Sequence, residues 1–256
     1  MLFGFSFTIY TIFRQKKLSD IKNDFINNMT HEFKTPIATI SLATDAVNSP
    51  AVSKNTESVH RYMNIIKEEN QRMHKHVENI LQLALFDRKH INLNLVEFDI
   101  HEMIQKAIEQ IKLQVEVKGG KIETNLNAAQ YHLLGDYDFI FNSIINLLDN
   151  AIKYTPANPI ISIATENIQN NIRLLISDNG IGMSREVQKN IFEKFYRAGT
   201  GNIHDVKGYG IGLSIVKAIA HAHNGEIKVL KSIKGVGTTM ELLLPLNLHK
   251  AKRKSN

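Results

Sequence analysis

The 256-residue sequence contains no cysteine and no tryptophan. Without cysteine the chain cannot form a disulfide, present a thiolate nucleophile or hold a metal through sulfur. It has no uninterrupted apolar run of the roughly 20 residues that a membrane-spanning helix requires. The formal net charge is +6, but lysine and arginine are scattered along the chain, so we expect no direct binding of nucleic acid.

Two familiar phosphate-handling patterns are also absent. The sequence contains no Walker A pattern, G-x-x-x-x-G-K-[ST], and no protein-kinase H-R-D or D-F-G set. Any phosphoryl transfer by this chain would therefore use different machinery.

An apolar run, "MLFGFSFTIYTIF", opens the chain, and the basic cluster "RQKK" follows at 14–17. A signal peptide would carry its positive charge before the apolar core rather than after it. We interpret residues 1–17 as the cytoplasmic end of a truncated transmembrane helix followed by a basic juxtamembrane segment. A buried or interfacial segment is the alternative. A second basic cluster predicts a solvated basic tail at 249–256.

Two amphipathic stripes follow the opening segment. The first runs from Leu18 to Val47 and the second from Val59 to Ala84, with apolar residues mostly three, four or seven apart. Asn48-Ser49-Pro50 separates them, which predicts a helical hairpin over residues 18–90. Two helices cannot cover both stripes well, so we expect a homodimer that pairs two hairpins into a four-helix bundle.

From residue 91 the pattern alternates between strand-like and helix-like segments. This mixture predicts an α/β sandwich over residues 91–248, with helices on one face of a largely antiparallel sheet. The predicted strands are "LNLVEF", "KIETNLN", "YHLLGD", "IISIAT", "IRLLISD", "GEIKVLKS" and "GTTMELLLPL". Predicted helices cover "IHEMIQKAIEQIKLQVEV", Asp136–Tyr154 and Gly212–His223, and a turn is expected at "ENIQNN".

Three short motifs lie in the second half of the chain: "NLLDNAIKYT", "DNGIGM" and "GYGIGLS". Each alone is a weak signal, because Gly-x-Gly matches are common and an Asn-Gly pair usually marks a hairpin turn. Together, in this order and with "IFEKFYR" between the last two, they resemble the ATP-binding domain of bacterial sensor histidine kinases, in the superfamily shared with DNA gyrase. Upstream, "FINNMTHEFKTPIATI" resembles the phosphoacceptor box of the same family.

This resemblance extends from about Leu18 to Leu246. It implies a dimerisation and phosphoacceptor hairpin at 18–90, a catalytic ATP-binding domain at 91–248, and ATP with Mg²⁺ as cofactors. It also implies a location at the bacterial cell (inner) membrane, with the kinase core facing the cytoplasm.

The helix around 146–154 carries polar side chains on one face. Asn146 and Asn150 are four residues apart, and Lys153 follows seven after Asn146. Amide oxygens and an ammonium suit Mg²⁺ and phosphate, because Mg²⁺ keeps several waters and takes few protein oxygens. The resemblance implies Asn150 as the metal ligand, with Lys153 and Tyr154 near phosphate. A solvated polar face is the alternative.

Asp178 ends an apolar strand and precedes Asn-Gly-Ile-Gly. A carboxylate there can accept a hydrogen bond from the amino group of adenine, whereas guanine would offer a carbonyl oxygen. The site should therefore select ATP over GTP. Gly180 and Gly182 would let the backbone approach the base without a Cβ in the way.

Glycines precede the last predicted helix at Gly208, Gly210 and Gly212, with Leu213 next. Unpaired N–H groups at a helix N-terminus form a phosphate cradle. Residues 184–207 have the small and polar composition of a mobile lid. Arg197 and Lys207 could reach the γ-phosphate, although solvated surface charges are the alternative.

His31 lies roughly opposite the apolar stripe of the first helix. A free imidazole, with a pKa of about 6.5, is mostly neutral at pH 7 and can attack the γ-phosphate of ATP. Glu32 would orient the ring or accept its proton. Thr35 lies one turn further along the same face, and in similar families this position helps direct water at a phosphorylated partner.

The predicted function is autophosphorylation of His31 from Mg-ATP, then transfer to an aspartate of a response regulator receiver domain, with possible phosphatase activity towards that regulator. Two alternatives are a catalytically silent scaffold and a gyrase-like ATP-driven clamp. A silent copy would be expected to lack His31, Asn150 or Asp178. In the clamp the superfamily leads us to expect a carboxylate where this chain has Asn146, and an amide cannot act as that base.

Overall fold

The computed structural model describes residues 2–87, 92–197 and 210–247. By its internal contacts the chain forms two compact units. The first contains helices α1 to α3, and the short stretch Lys194–Arg197 groups with it. The second contains all the strands and the remaining helices.

The first unit is entirely helical. α1 spans Leu2–Asn48, a short α2 spans Pro50–Ser53, and α3 spans Thr56–Asp87. The predicted break at 48–50 is confirmed, with Pro50 at the first position of α2, where a missing N–H costs nothing. Within the described residues, no helix is both long enough and apolar enough to cross a lipid bilayer.

The second unit contains a five-stranded sheet with the strand order β2-β4-β5-β7-β6. β2 pairs with β4 in parallel, and the other three pairs are antiparallel, which confirms the predicted sheet type. A separate antiparallel pair joins β1 to β3. The strands are β1 (Leu95–Asp99), β2 (Lys121–Leu126), β3 (His132–Asp136), β4 (Ile160–Ile168), β5 (Asn171–Asp178), β6 (Glu226–Ile233) and β7 (Gly237–Pro245).

Three longer helices cover one face of this sheet, with α4 against β2, α5 against β4 and β5, and α7 against β6 and β7. Their buried apolar residues recur every three or four positions, while those of the strands alternate, and the two sets form the core of the unit. The helices are α4 (Ile100–Val117), α5 (Tyr137–Lys153), the short α6 (Arg185–Asn190) and α7 (Gly212–Ala222).

The turn between β4 and β5 is shorter than the sequence predicts. Most of "ENIQNN" continues the two strands, and only Gln169 and Asn170 lie between them. The cross-strand ion pair of Arg173 with Glu166, 2.7 Å long, supports the extra pairing. The tight reversal places Gln169 at a φ of +55°.

His223 links two helices that carry predicted site residues. The sequence indicates only a residue at a helix C-terminus, but the structure buries His223 just after α7. Its Nδ1 donates to the carbonyl of Ile219 at 2.8 Å, and its Nε2 accepts from the N–H of Asp136 at 2.9 Å. Because Asp136 caps the N-terminus of α5, the imidazole connects the start of α5 to the end of α7.

This buried imidazole predicts a loss of stability in acid. Burial lowers the pKa of His223, although its bond to Ile219 and the charge of Asp136 oppose the shift. An unfolded histidine titrates near 6.5, so the unfolded state binds more protons below about pH 6.5 and stability falls as the pH drops through that range. We expect the thermal midpoint to decrease accordingly. His223→Gln should unfold at a lower temperature at pH 8 and show a shallower pH dependence. If the thermal midpoint of this variant depended on pH as steeply as that of the wild type, the loss of stability in acid would come from other groups.

Candidate nucleotide site and phosphoacceptor helix

α5 places Asn146 and Asn150 at the edge of its buried face, and both are half-buried. The Nδ2 of Asn146 donates to the carbonyl of Asn142 at 2.9 Å, and this hydrogen bond orients its amide. Lys153 lies with its Nζ 5.5 Å from the ring centroid of Tyr154, the residue that caps the helix. α5 therefore presents two amides and a cation along one side.

The first residue of α7 lies against this side of α5. A Cβ on Gly212 would lie only 3.1 Å from the Oδ1 of Asn146. The absence of a side chain thus lets the helix N-terminus approach an amide oxygen closely. The structure brings together two of the three sequence motifs here, and the half-exposed Leu213 follows in the first turn of α7.

Asp178 lies at the end of β5 and is half-buried. Its Oδ1 accepts from the N–H of Gly180 at 2.8 Å and from the N–H of Thr238 at 3.2 Å. Burial raises the pKa of Asp178, while these two hydrogen bonds oppose the shift. Within the described part of the chain no protein group bonds to Oδ2, so this oxygen is the one left for a ligand.

The glycines that follow Asp178 are required by close protein packing. A Cβ on Gly180 would lie 2.4 Å from the carbonyl oxygen of Tyr154, at the end of α5. Gly182 has a φ of +60°, and a Cβ there would lie 2.0 Å from the carbonyl oxygen of Ile233. Close packing against the backbone thus explains why glycine is needed at both positions, which the sequence did not suggest. The approach of these glycines to a base stays a prediction.

The structure describes only some of the other residues that were predicted to bind the phosphates of ATP. Arg197 is exposed, and Gly210, with a φ of +69°, packs on the carbonyl of Tyr196. Lys207 and Gly208 lie outside the described residues, as does most of the second half of the predicted lid. The described first part of the lid contains α6.

In the helical unit, the predicted phosphoacceptor residues lie on α1. Glu32 is half-buried and Thr35 is exposed. The backbone of His31 is helical, and its side chain lies outside the described part of the structure.

The site also includes a residue that sequence reasoning missed. Thr238 contributes a backbone N–H to Asp178, although 60 residues separate them. Only the sheet register, which pairs Asp178 of β5 with Thr238 of β7, brings them together. The glycine before Thr238 is a weak signal for this role, because Gly237 packs on the carbonyl of Asp178.

The amide oxygens of Asn146 and Asn150 on α5 are suitable ligands for a magnesium ion. Mg²⁺ prefers oxygen ligands and usually keeps several waters. Within the described residues no group of three or more His, Asp or Glu side chains could hold a metal. An ion at Asn150 would therefore depend mainly on water and phosphate oxygens for its other ligands.

Two parts of the chain match known protein families. Residues 21–89 match the His Kinase A (phospho-acceptor) domain, and residues 135–248 match the histidine kinase-, DNA gyrase B-, and HSP90-like ATPase family. A phosphoacceptor helix followed by an ATPase-type α/β sandwich defines the core of a two-component kinase. The chain belongs to the sensor histidine kinases, which confirms the resemblance seen in the motifs, and ATP is the nucleotide of this domain class.

Similar proteins match this chain across both of these parts. The sensor protein RprX of Bacteroides fragilis is 45% identical over 248 residues, which cover 96% of this chain and 48% of RprX. The chain thus spans about half the length of this curated relative. Histidine kinase ThkA in complex with the response regulator TrrA has a TM-score of 0.63 at 23% identity, covering 93% of this chain and 65% of ThkA. Full-length ShkA in complex with AMPPNP has a TM-score of 0.66 at 22% identity, covering 86% and 45%.

Proposed function

We propose that this chain is the kinase core of a membrane-bound sensor histidine kinase. It binds Mg-ATP in its α/β unit, transfers the γ-phosphoryl group to His31, and passes that group to an aspartate of a response regulator. The observation that carries the proposal is the contact of Asn146 with Gly212, together with a half-buried Asp178 that has one unpaired oxygen in the same unit, in a chain that also has a phosphoacceptor helix.

The two ends of the nucleotide are assigned to different motifs. The Oδ2 of Asp178 accepts a hydrogen bond from the amino group of adenine, which excludes guanine. Asn150 ligates Mg²⁺, and the N–H groups at the start of α7 bind phosphate. The cations that neutralise the triphosphate are Lys153, Arg197 and Lys207.

Transfer to His31 needs no further activation of the nucleophile. A ring nitrogen of the neutral imidazole attacks the γ-phosphorus in line, an N–P bond forms, and the bond from this phosphorus to the β,γ-bridging oxygen breaks so that ADP leaves. The ring proton passes to Glu32 or to water. Thr35 orients a water molecule when the core acts as a phosphatase.

We also propose that the chain works as a homodimer. Large apolar side chains are exposed on the helical unit, with Leu42 71% and Leu81 58% exposed. A second copy of the hairpin would cover them in a four-helix bundle. The proposed partner is a receiver domain, as ThkA has in its complex with TrrA, and residues 1–17 adjoin the membrane.

The alternative clamp is not favoured, because the side chain of Asn146 donates its amide to Asn142 and cannot take a proton from water. A silent scaffold is disfavoured because His31, Asn150 and Asp178, which a degenerate copy would be expected to lack, are all present.

The direct test is to incubate the purified chain with γ-labelled ATP, with and without Mg²⁺. We expect acid-labile, alkali-stable label on the protein that depends on Mg²⁺ and is lost to an added receiver domain. Absence of label in a preparation that binds ATP would contradict the proposal.

A further inference from the structure

The loop after Asp178 is held at both ends by the β6–β7 hairpin. At its start, Asp178 accepts the N–H of Thr238. At its end, the N–H of Met183 donates to the Oγ of Ser232 at 2.8 Å. Both partners flank the turn of the hairpin, so the hairpin fixes where the loop begins and ends.

The middle of the same loop also lies on this hairpin. The N–H of Gly235 donates to the carbonyl of Ile181 at 2.7 Å. Next to it, the close approach of Gly182 to the carbonyl of Ile233 leaves no room for a side chain. The loop therefore contacts the hairpin at its start, middle and end, while the N–H of Ile181 donates to the carbonyl of Tyr154 at 3.0 Å.

Gln188 joins α6 to this arrangement. Its carboxamide nitrogen donates to the carbonyl of Met183 at 2.9 Å and to the carbonyl of Ser232 at 3.1 Å. One amide group thus bridges the loop and the hairpin with both of its hydrogens. Because Gln188 is half-buried, water competes only weakly for these bonds.

A continuous hydrogen-bonded path leads from Gln188 to the carboxylate. The Oγ of Ser232 lies 2.8 Å from the Oγ1 of Thr238, whose N–H bonds to Asp178. Loosening Gln188 or Ser232 should therefore shift Asp178 relative to α5, although neither residue reaches the base itself.

We propose that Gln188 and Ser232 are positioning residues for nucleotide binding: they hold the loop after Asp178 against the β6–β7 hairpin and so fix the carboxylate that receives adenine. This inference rests on the proposed function, because it takes Asp178 as the residue that binds the base. It adds two residues, on α6 and β6, that contact no nucleotide and yet set the affinity for it.

The test compares ATP binding by calorimetry in Gln188→Met and Ser232→Ala. Gln188→Met loses two neutral hydrogen bonds and Ser232→Ala loses those of one hydroxyl, so we expect between about threefold and tenfold weaker binding at a temperature where both are folded. Labelling of His31 should show a raised KM for ATP with a nearly unchanged kcat. The double variant should lose less than the product of the two single effects, because both residues hold the same loop.

The matched control is Lys231→Met, an exposed change on the same strand as Ser232, which should bind ATP like the wild type. Wild-type affinity in folded Gln188→Met or Ser232→Ala, or a fully multiplicative double variant, would overturn the inference. If Gln188→Met does not fold, Ser232→Ala decides alone, since it removes only one hydroxyl.

A second readout needs no nucleotide. Hydrogen exchange at the amide of Met183 should be faster in Gln188→Met than in the wild type or in Lys231→Met, and unchanged exchange would again overturn the inference. A wild-type chain that fails to bind ATP would instead refute the proposed function, so the two failures are distinguishable.

Discussion

Replacing His31 with glutamine is expected to abolish the acid-labile label that the wild-type chain acquires from γ-labelled ATP. An amide nitrogen has no basic lone pair to attack phosphorus, whereas the imidazole nitrogen does. ATP binding should be unchanged, because Asn150, Asp178 and the start of α7 belong to the other structural unit. Autoradiography after acid and alkali treatment measures the first effect, and calorimetry measures the second.

The matched control for this variant is His60→Gln. His60 is an exposed histidine on α3, so the same chemical change there should leave the label intact. Label that persists in His31→Gln would place the phosphoacceptor elsewhere. Label lost together with ATP binding would indicate a folding defect rather than a missing nucleophile.

Replacing Asp178 with asparagine is expected to weaken ATP binding by about 1–3 kcal/mol. The two backbone N–H groups that bond to Oδ1 would hold the asparagine oxygen in the same place. Its NH₂ group would then occupy the position of Oδ2 and face the amino group of adenine, donor against donor. ITP carries an oxygen at that position of the base, so the preference for ATP over ITP should fall or reverse.

The same variant should fold at least as stably as the wild type. Burial raises the pKa of the Asp178 carboxyl in the folded state. Protonated Asp178 therefore stabilises the fold at pH values below the unfolded-state pKa, and this stability is lost as the pH rises through the folded-state pKa. Asparagine mimics the protonated form and retains that stability at neutral pH. We therefore expect an equal or higher thermal midpoint without nucleotide, with Asp138→Asn as the exposed control. Unchanged ATP affinity would refute the role of Asp178.

Much of the fold could be predicted because its signals are local. The stripe from Leu18 to Val47 repeats at the helical period, and Pro50 interrupts it at the point where α1 ends. The strands β4 and β5 alternate buried and half-exposed residues, which is visible in the sequence as alternating apolar positions. Local periodicity does not determine which strands pair with each other, however. The pairing of β3 with β1 in a separate sheet depends on contacts between residues 33 to 41 positions apart.

The sequence by itself determined the residue types of the site and their order: the amides of α5, the carboxylate that ends β5 and the glycine that begins α7. The tertiary structure decided which atoms of those residues remain available to bind a ligand. The register of β5 with β7 brings Thr238 to Asp178 and uses one carboxylate oxygen. Packing of the short helix α6 against the hairpin gives Gln188 its two carbonyl partners. Apart from the weak signal of Gly237, the sequence does not predict these contacts, because hydrogen bonds between distant segments depend on where the sheet and helices place the backbone, and not on any local pattern.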